Sequence, residues 1–137
     1  MIQFTVYGEP VAQGRPKATT INGNVRMYDP KKSVDFKNFV RQVAAENAPE
    51  SLLDGALGMR VGIYRPIPKS FSKKKTEQAE KGILRPTSKP DADNYLKAIK
   101  DALKNVIWKD DSQVVDVTIS KWYSNRPRVE VQIVPIN

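Results

Sequence analysis

The 137 residues carry 23 Lys and Arg against 15 Asp and Glu, a net charge of +8, with no cysteine and no histidine. These counts exclude disulfides, thiol nucleophiles, zinc fingers, Ser-His-Asp triads and histidine-based nucleases. Any catalysis must rest on Asp, Glu, Lys, Tyr or a metal-bound water, and the positive charge points to a polyanion.

The length fits one domain, 1–137, with a modest core. There is no apolar run long enough to span a membrane and no signal-peptide pattern, so a cytoplasmic protein is expected.

Ile2 to Tyr7 alternates apolar and polar residues and predicts a strand. Residues Gln13 to Lys32 form a basic, glycine- and proline-rich stretch. Asn22-Gly23-Asn24 predicts a tight turn or short hairpin there. Arg15, Lys17 and Arg26 in this stretch are candidate DNA contacts, although an ordinary solvated loop reads the same way. Ser33 is placed to cap a helix over Val34–Asn47, with Val34, Phe36, Phe39, Val40 and Val43 as its buried stripe.

Leu57 to Tyr64 predicts a second strand. Between Pro66 and Pro90 apolar anchors are sparse, and seven cations face Glu77 and Glu80. Ser72–Lys81 fits a short helix. The segment is expected to act as a phosphate-binding flap through Lys69, Lys73, Lys74, Lys75, Arg85 and Lys89.

Asp91 then caps a helix running to about Asn105. Leu96, Ile99, Leu103 and Val106 form its apolar stripe, and Asp93, Lys97, Asp101 and Lys104 its polar one. Val114–Trp122 and Arg128–Pro135 predict two closing strands, joined by a hairpin at Ser124–Pro127. The expected fold is a single α+β (mixed α/β) domain, with about four strands in a mixed sheet and two main helices.

Six of the fifteen acidic residues lie between Asp91 and Asp116. Crowded carboxylates repel, and a hard divalent cation is the usual reason to gather them. Should Asp91, Asp93 and Asp111 converge, they can hold Mg²⁺ or Mn²⁺ beside a phosphate, with Lys97 stabilising developing charge. Taken singly, each has a plainer role: Asp91 a helix cap, Asp93 a charge favoured by the helix dipole, Lys97 an i,i+4 partner of Asp93, Asp110-Asp111 a turn.

The text Lys89-Pro90-Asp91-Ala92-Asp93-Asn94, Lys97, Asp101-Ala102-Leu103 and Trp108-Lys109-Asp110-Asp111-Ser112-Gln113-Val114 resembles the RusA family of Holliday-junction resolvases. The resemblance is strong over residues 89–116 and general elsewhere. It implies a homodimeric, Mg²⁺-dependent endonuclease, bacterial or phage-encoded, that cuts four-way junction DNA with paired symmetric nicks and needs no small-molecule cofactor. It carries catalytic roles to Asp91, Asp93 and Asp111 as metal ligands and to Lys97 as the catalytic lysine. Two other readings use the same residues: a basic dimer that binds branched DNA without cutting, and a metal-dependent hydrolase of small nucleotides.

Overall fold

The computed structural model describes residues 1–28 and 30–136. Asp29, within the expected basic stretch, lies outside them. The elements run β1 (Ile2–Tyr7), β2 (Lys17–Ile21), β3 (Asn24–Tyr28), α1 (Lys31–Glu46), β4 (Leu57–Pro66), α2 (Lys73–Glu80), α3 (Ala92–Leu103), a 3₁₀ turn (Asp111–Gln113), β5 (Val114–Ser124) and β6 (Arg128–Pro135). The strands β1, β6, β4 and β5 form one sheet in that order, and β2–β3 is a separate hairpin. β4 and β5 run parallel while the other neighbours are antiparallel. The fold is therefore the expected α+β domain with a mixed four-stranded sheet.

One face of the sheet is covered by α1 and α3. Phe4, Val6, Met59, Val61, Ile63, Val129, Val131 and Ile133 alternate along the strands and pack against Phe36, Val40, Ala44, Ile99 and Leu103. The period-two pattern of each strand sends these side chains to one side. β4–α3–β5 is a parallel crossover, which fixes α3 antiparallel to both strands. Asn105 ends the helical stretch at φ +64, a left-handed conformation that asparagine adopts readily. The Arg41 guanidinium donates to the carbonyls of Ala102 and Asp101, two of the acceptors α3 leaves open.

Three expectations change. Ser33 is no cap. The helix starts at Lys31, and the Ser33 side chain is buried, accepting from the Gly14 N–H at 2.9 Å and donating to the Ala12 carbonyl at 3.2 Å. The buried stripe of α1 is accordingly Ser33, Phe36, Val40 and Ala44, with Val34 and Phe39 exposed. Ser124–Pro127 does not make a hairpin, because β6 crosses to the far side of β4. The 66–90 segment is packed. The Phe71 ring meets Tyr123 edge-on at 5.5 Å, Ala79 is fully buried, and Arg85 Nε donates to the Lys121 carbonyl at 2.7 Å.

Candidate active site

Asp91 sits at the N-cap position of α3, but its side chain makes no capping hydrogen bond. Asp93 follows in the first turn. Both are exposed, and among the described residues neither carboxylate is engaged in a hydrogen bond or ion pair. The unsatisfied N–H groups of the first turn favour negative charge here. Lys97 is exposed one turn on, about 6 Å along the axis. Among the described residues no ion pair joins Lys97 to Asp93 or to Asp101. Asp101 instead pairs with Lys37 of α1 at 3.6 Å.

Asp91 lines a cleft of about 750 Å³ at the C-terminal end of β4, shared with Arg15, Lys32, Arg65, Lys89 and Glu9. Cations outnumber carboxylates there by four to two. One wall is the loop after β1. The Gln13 N–H donates to the Asn94 carbonyl at 3.0 Å, and Lys37 Nζ donates to Gln13 Oε1 at 3.0 Å. A β-carbon on Gly14 would stand 2.7 Å from Pro30 Cγ and 2.9 Å from Ser33 Oγ, so only glycine allows the loop to seat this closely. The seating holds Arg15 at the cleft. On the other side Arg65 donates to the Ser88 carbonyl, and Lys121 Nζ donates to the carbonyls of Ser88 and Pro90, each at 3.0 Å. Beneath the cleft the Tyr95 ring is buried. Burial pushes its hydroxyl pKa up, Arg65 opposes the rise and Glu9 adds to it, so the phenol stays protonated at neutral pH.

The second acidic cluster is differently employed. Asp111 Oδ1 accepts from the indole N–H of fully buried Trp108 at 2.8 Å. Asp110 accepts from the Ser112 N–H, and Gln113 Oε1 accepts from the Asp110 N–H, a reciprocal capping box. Gln113 Nε2 also donates to the Leu53 and Gly55 carbonyls just before β4.

These contacts put Asp111 at the opposite end of the crossover from Asp91. Pro90 is tied to Lys121, seven residues along β5 from Val114, which is roughly 23 Å of strand. Twelve residues of α3 span about 18 Å and separate the same two ends. One chain therefore carries Asp91, Asp93 and Lys97 at the start of α3 and leaves Asp111 on the order of 20 Å away. Among the described residues no three acidic side chains are grouped to hold a metal ion. Asp91 and Asp93 match in number and chemistry what Mg²⁺ commonly takes, one or two carboxylates with water and phosphate oxygens completing the shell.

The basic candidates divide among four places. Arg15 and Lys89 line the cleft. Lys17 and Arg26 lie on the β2–β3 hairpin, every residue of which is exposed. Lys73, Lys74 and Lys75 open α2 behind Ser72, whose hydroxyl accepts from the Lys75 N–H, and Lys69 lies just before it. Arg85 lies over the Trp122 ring at 3.4 Å. Sequence reasoning placed Lys32 only in the basic stretch and missed Arg65. Arg65 was legible only as the end of a strand.

A family model for endodeoxyribonuclease RusA matches residues 7–134. The uncharacterized protein YqaN of Bacillus subtilis (strain 168) is 60% identical over 134 residues, covering 96% of this chain and 94% of its own length. No helix is long and apolar enough to cross a membrane.

Proposed function

Because the chain belongs to the RusA endodeoxyribonuclease family, we propose that it resolves four-way DNA junctions by metal-dependent hydrolysis at the N-terminus of α3. The observation that carries this reading is the pair of unengaged carboxylates, Asp91 and Asp93, beside a cationic cleft. Arg15, Lys32, Arg65 and Lys89 bind the phosphates flanking the cut and fix its register. Asp91 and Asp93 hold Mg²⁺, or Mn²⁺ in its place. When bound, the ion supplies Lewis-acid polarisation of the phosphate and a more acidic water. Lys97 neutralises charge that develops on the phosphoryl oxygens. The products are a 5′-phosphate and a 3′-hydroxyl. The hairpin and α2 lysines extend the phosphate-binding surface along the arms.

Asp111 enters this scheme only through a second copy. β5 is an edge strand of eleven residues, with Val115 57% and Val117 40% exposed. A long unpaired edge is a template for another strand. Antiparallel pairing of β5 with its copy about a two-fold axis sets the start of one strand against the end of the other. Asp111 of the partner subunit then approaches the end where Lys121 holds Pro90. The resulting homodimer has two sites, as paired symmetric nicks require.

The test is Asp93→Asn with a synthetic four-way junction. Binding should persist and cleavage in Mg²⁺ should vanish. Retained cleavage removes the mechanism. A wild-type protein that shifts the junction but never nicks it is a binding module instead. Binding that ignores rising salt excludes an extended phosphate surface.

A further inference from the structure

The face of the sheet turned away from α1 and α3 carries a row of residues from all four strands. Tyr7 is in register with Arg128, Arg128 with Tyr64, and Tyr64 with Trp122. Register partners share a face, so three aromatic rings cross the sheet in line. Each is covered by a guanidinium: Arg126 at 4.0 Å over Tyr7, Arg128 at 3.8 Å over Tyr64, and Arg85 at 3.4 Å over Trp122. Arg128 is also held by Glu130 and by the Ser124 hydroxyl. Beside the row lies a hollow of about 370 Å³, lined by Arg60, Thr118, Ser120, Gln132, the Tyr64 and Trp122 rings, and Glu130, whose carboxylate is taken up by Arg128. A β-carbon on Gly62, at its floor, would stand 2.8 Å from the Tyr64 ring, so glycine lets that ring lie flat.

We propose that this face is a stacking platform for unpaired DNA bases next to the cleavage site. Planar cations on aromatic rings present a flat, positively charged surface, the chemistry that takes up single-stranded bases without regard to sequence. The polar groups of the hollow suit the edge of one base. A duplex hides its base faces and gains little here. A second copy of the chain would oppose arginine to arginine, whereas a polyanion is complementary.

The position of the row strengthens the assignment. Tyr64 and Arg65 are neighbours on β4 and point to opposite faces, as do Lys121 and Trp122 on β5. Arg65 lines the cleft, and Lys121 holds Pro90 next to Asp91. A strand with its phosphate at Asp91 needs only to pass the end of the sheet for its unpaired bases to reach the rings. The inference rests on the reading of the protein as a DNA-handling enzyme and adds where the unpaired nucleotides go.

Fluorescence anisotropy of a labelled oligothymidine and of a blunt duplex of equal length, both in EDTA, tests the platform in the full chain. Trp122→Ala should weaken single-strand binding about tenfold and leave the duplex nearly unchanged, while Trp122→Phe keeps most of the affinity. Trp122 emission should be quenched by the single strand, since the other tryptophan, Trp108, is fully buried. Should Trp122→Ala fail to fold, Tyr7→Ala, at a ring that is half exposed, carries the same expectation. Unchanged single-strand affinity overturns the proposal, as does an equal loss on both ligands. A shift in oligomeric state without a change in single-strand affinity assigns the face to a protein contact and also overturns it. Junction cleavage by the wild type in Mg²⁺ is scored separately. Intact cleavage with a neutral Trp122→Ala sinks the platform alone, and absent cleavage sinks the reading beneath it.

Discussion

The two acidic clusters are alike in composition and opposite in employment. Asp91 and Asp93 head a helix, exposed and free of internal partners among the described residues. Asp110 and Asp111 are engaged by Ser112, Gln113 and the Trp108 indole. A carboxylate without an internal partner remains available to a cation and a phosphate, whereas one that satisfies a buried N–H already contributes to folding. The difference separates the carboxylates that a single chain leaves open to an outside partner from those it uses to join α3 to β5.

The largest expected effect breaks the first cluster. Asp91→Asn and Asp93→Asn should each lower junction cleavage by more than about a hundredfold, since even the outer-shell partners of a metal are worth about ten- to a hundredfold. Gel-shift affinity for the junction should hold. The next effect asks whether the clusters meet across two subunits. Asp93→Asn and Asp111→Asn homodimers should both be inactive. Mixed and reassembled, half the dimers are hybrids, and each hybrid has one site with both carboxylates intact. About a quarter of the sites should recover, visible as single nicks, as two-fold symmetry dictates. No recovery on mixing would mean that Asp111 serves its own chain only.

Stability sharpens the contrast further. Asp111→Ala strands the indole N–H of a fully buried tryptophan, at a cost of about 1–3 kcal/mol in urea unfolding. Asp91→Ala should change stability by less than about 0.5 kcal/mol. An N-cap aspartate normally contributes more, but this one makes no capping bond. Equal losses at the two positions would erase the distinction.

Local pattern located the elements, and long-range pairing decided what they do. β1 and β6 occupy the spans their alternation predicts, Ile2–Tyr7 and Arg128–Pro135. Yet nothing within Ser124–Pro127 distinguishes folding back on β5 from crossing β4, because that choice depends on which edge of β4 is free. Ser33 looked like a cap because it precedes an apolar run, and its hydroxyl is instead consumed by Gly14 and Ala12, some twenty residues back. Residue type identified both acidic clusters. Their separation follows from β4 and β5 being parallel, a connection that sends the far end of α3 to the start of the next strand. Arg65 escaped notice, and Lys32 was read only as part of the basic stretch, because their place at the cleft is set by the packing of loops far from them in sequence.

The smallest effect concerns protons. The Ser112 backbone N–H, with help from its hydroxyl, holds the Asp110 carboxyl below the usual carboxylate range. A carboxyl more acidic in the folded state stabilises the fold above its unfolded pKa, and that contribution fades as pH falls through the folded value. It is fully present at neutral pH and should decline below about pH 5. Because Asp110 is exposed, solvent screens the effect and the change should be slight. Asp110→Asn keeps an oxygen for the Ser112 N–H but binds no proton. Its urea midpoint should therefore fall slightly less steeply between pH 6 and pH 3, because the variant lacks the fraction of a proton that Asp110 takes up on unfolding. Identical acid slopes for variant and wild type would mean that the box forms equally well around a protonated carboxyl, and that its rigidity comes from Gln113 alone.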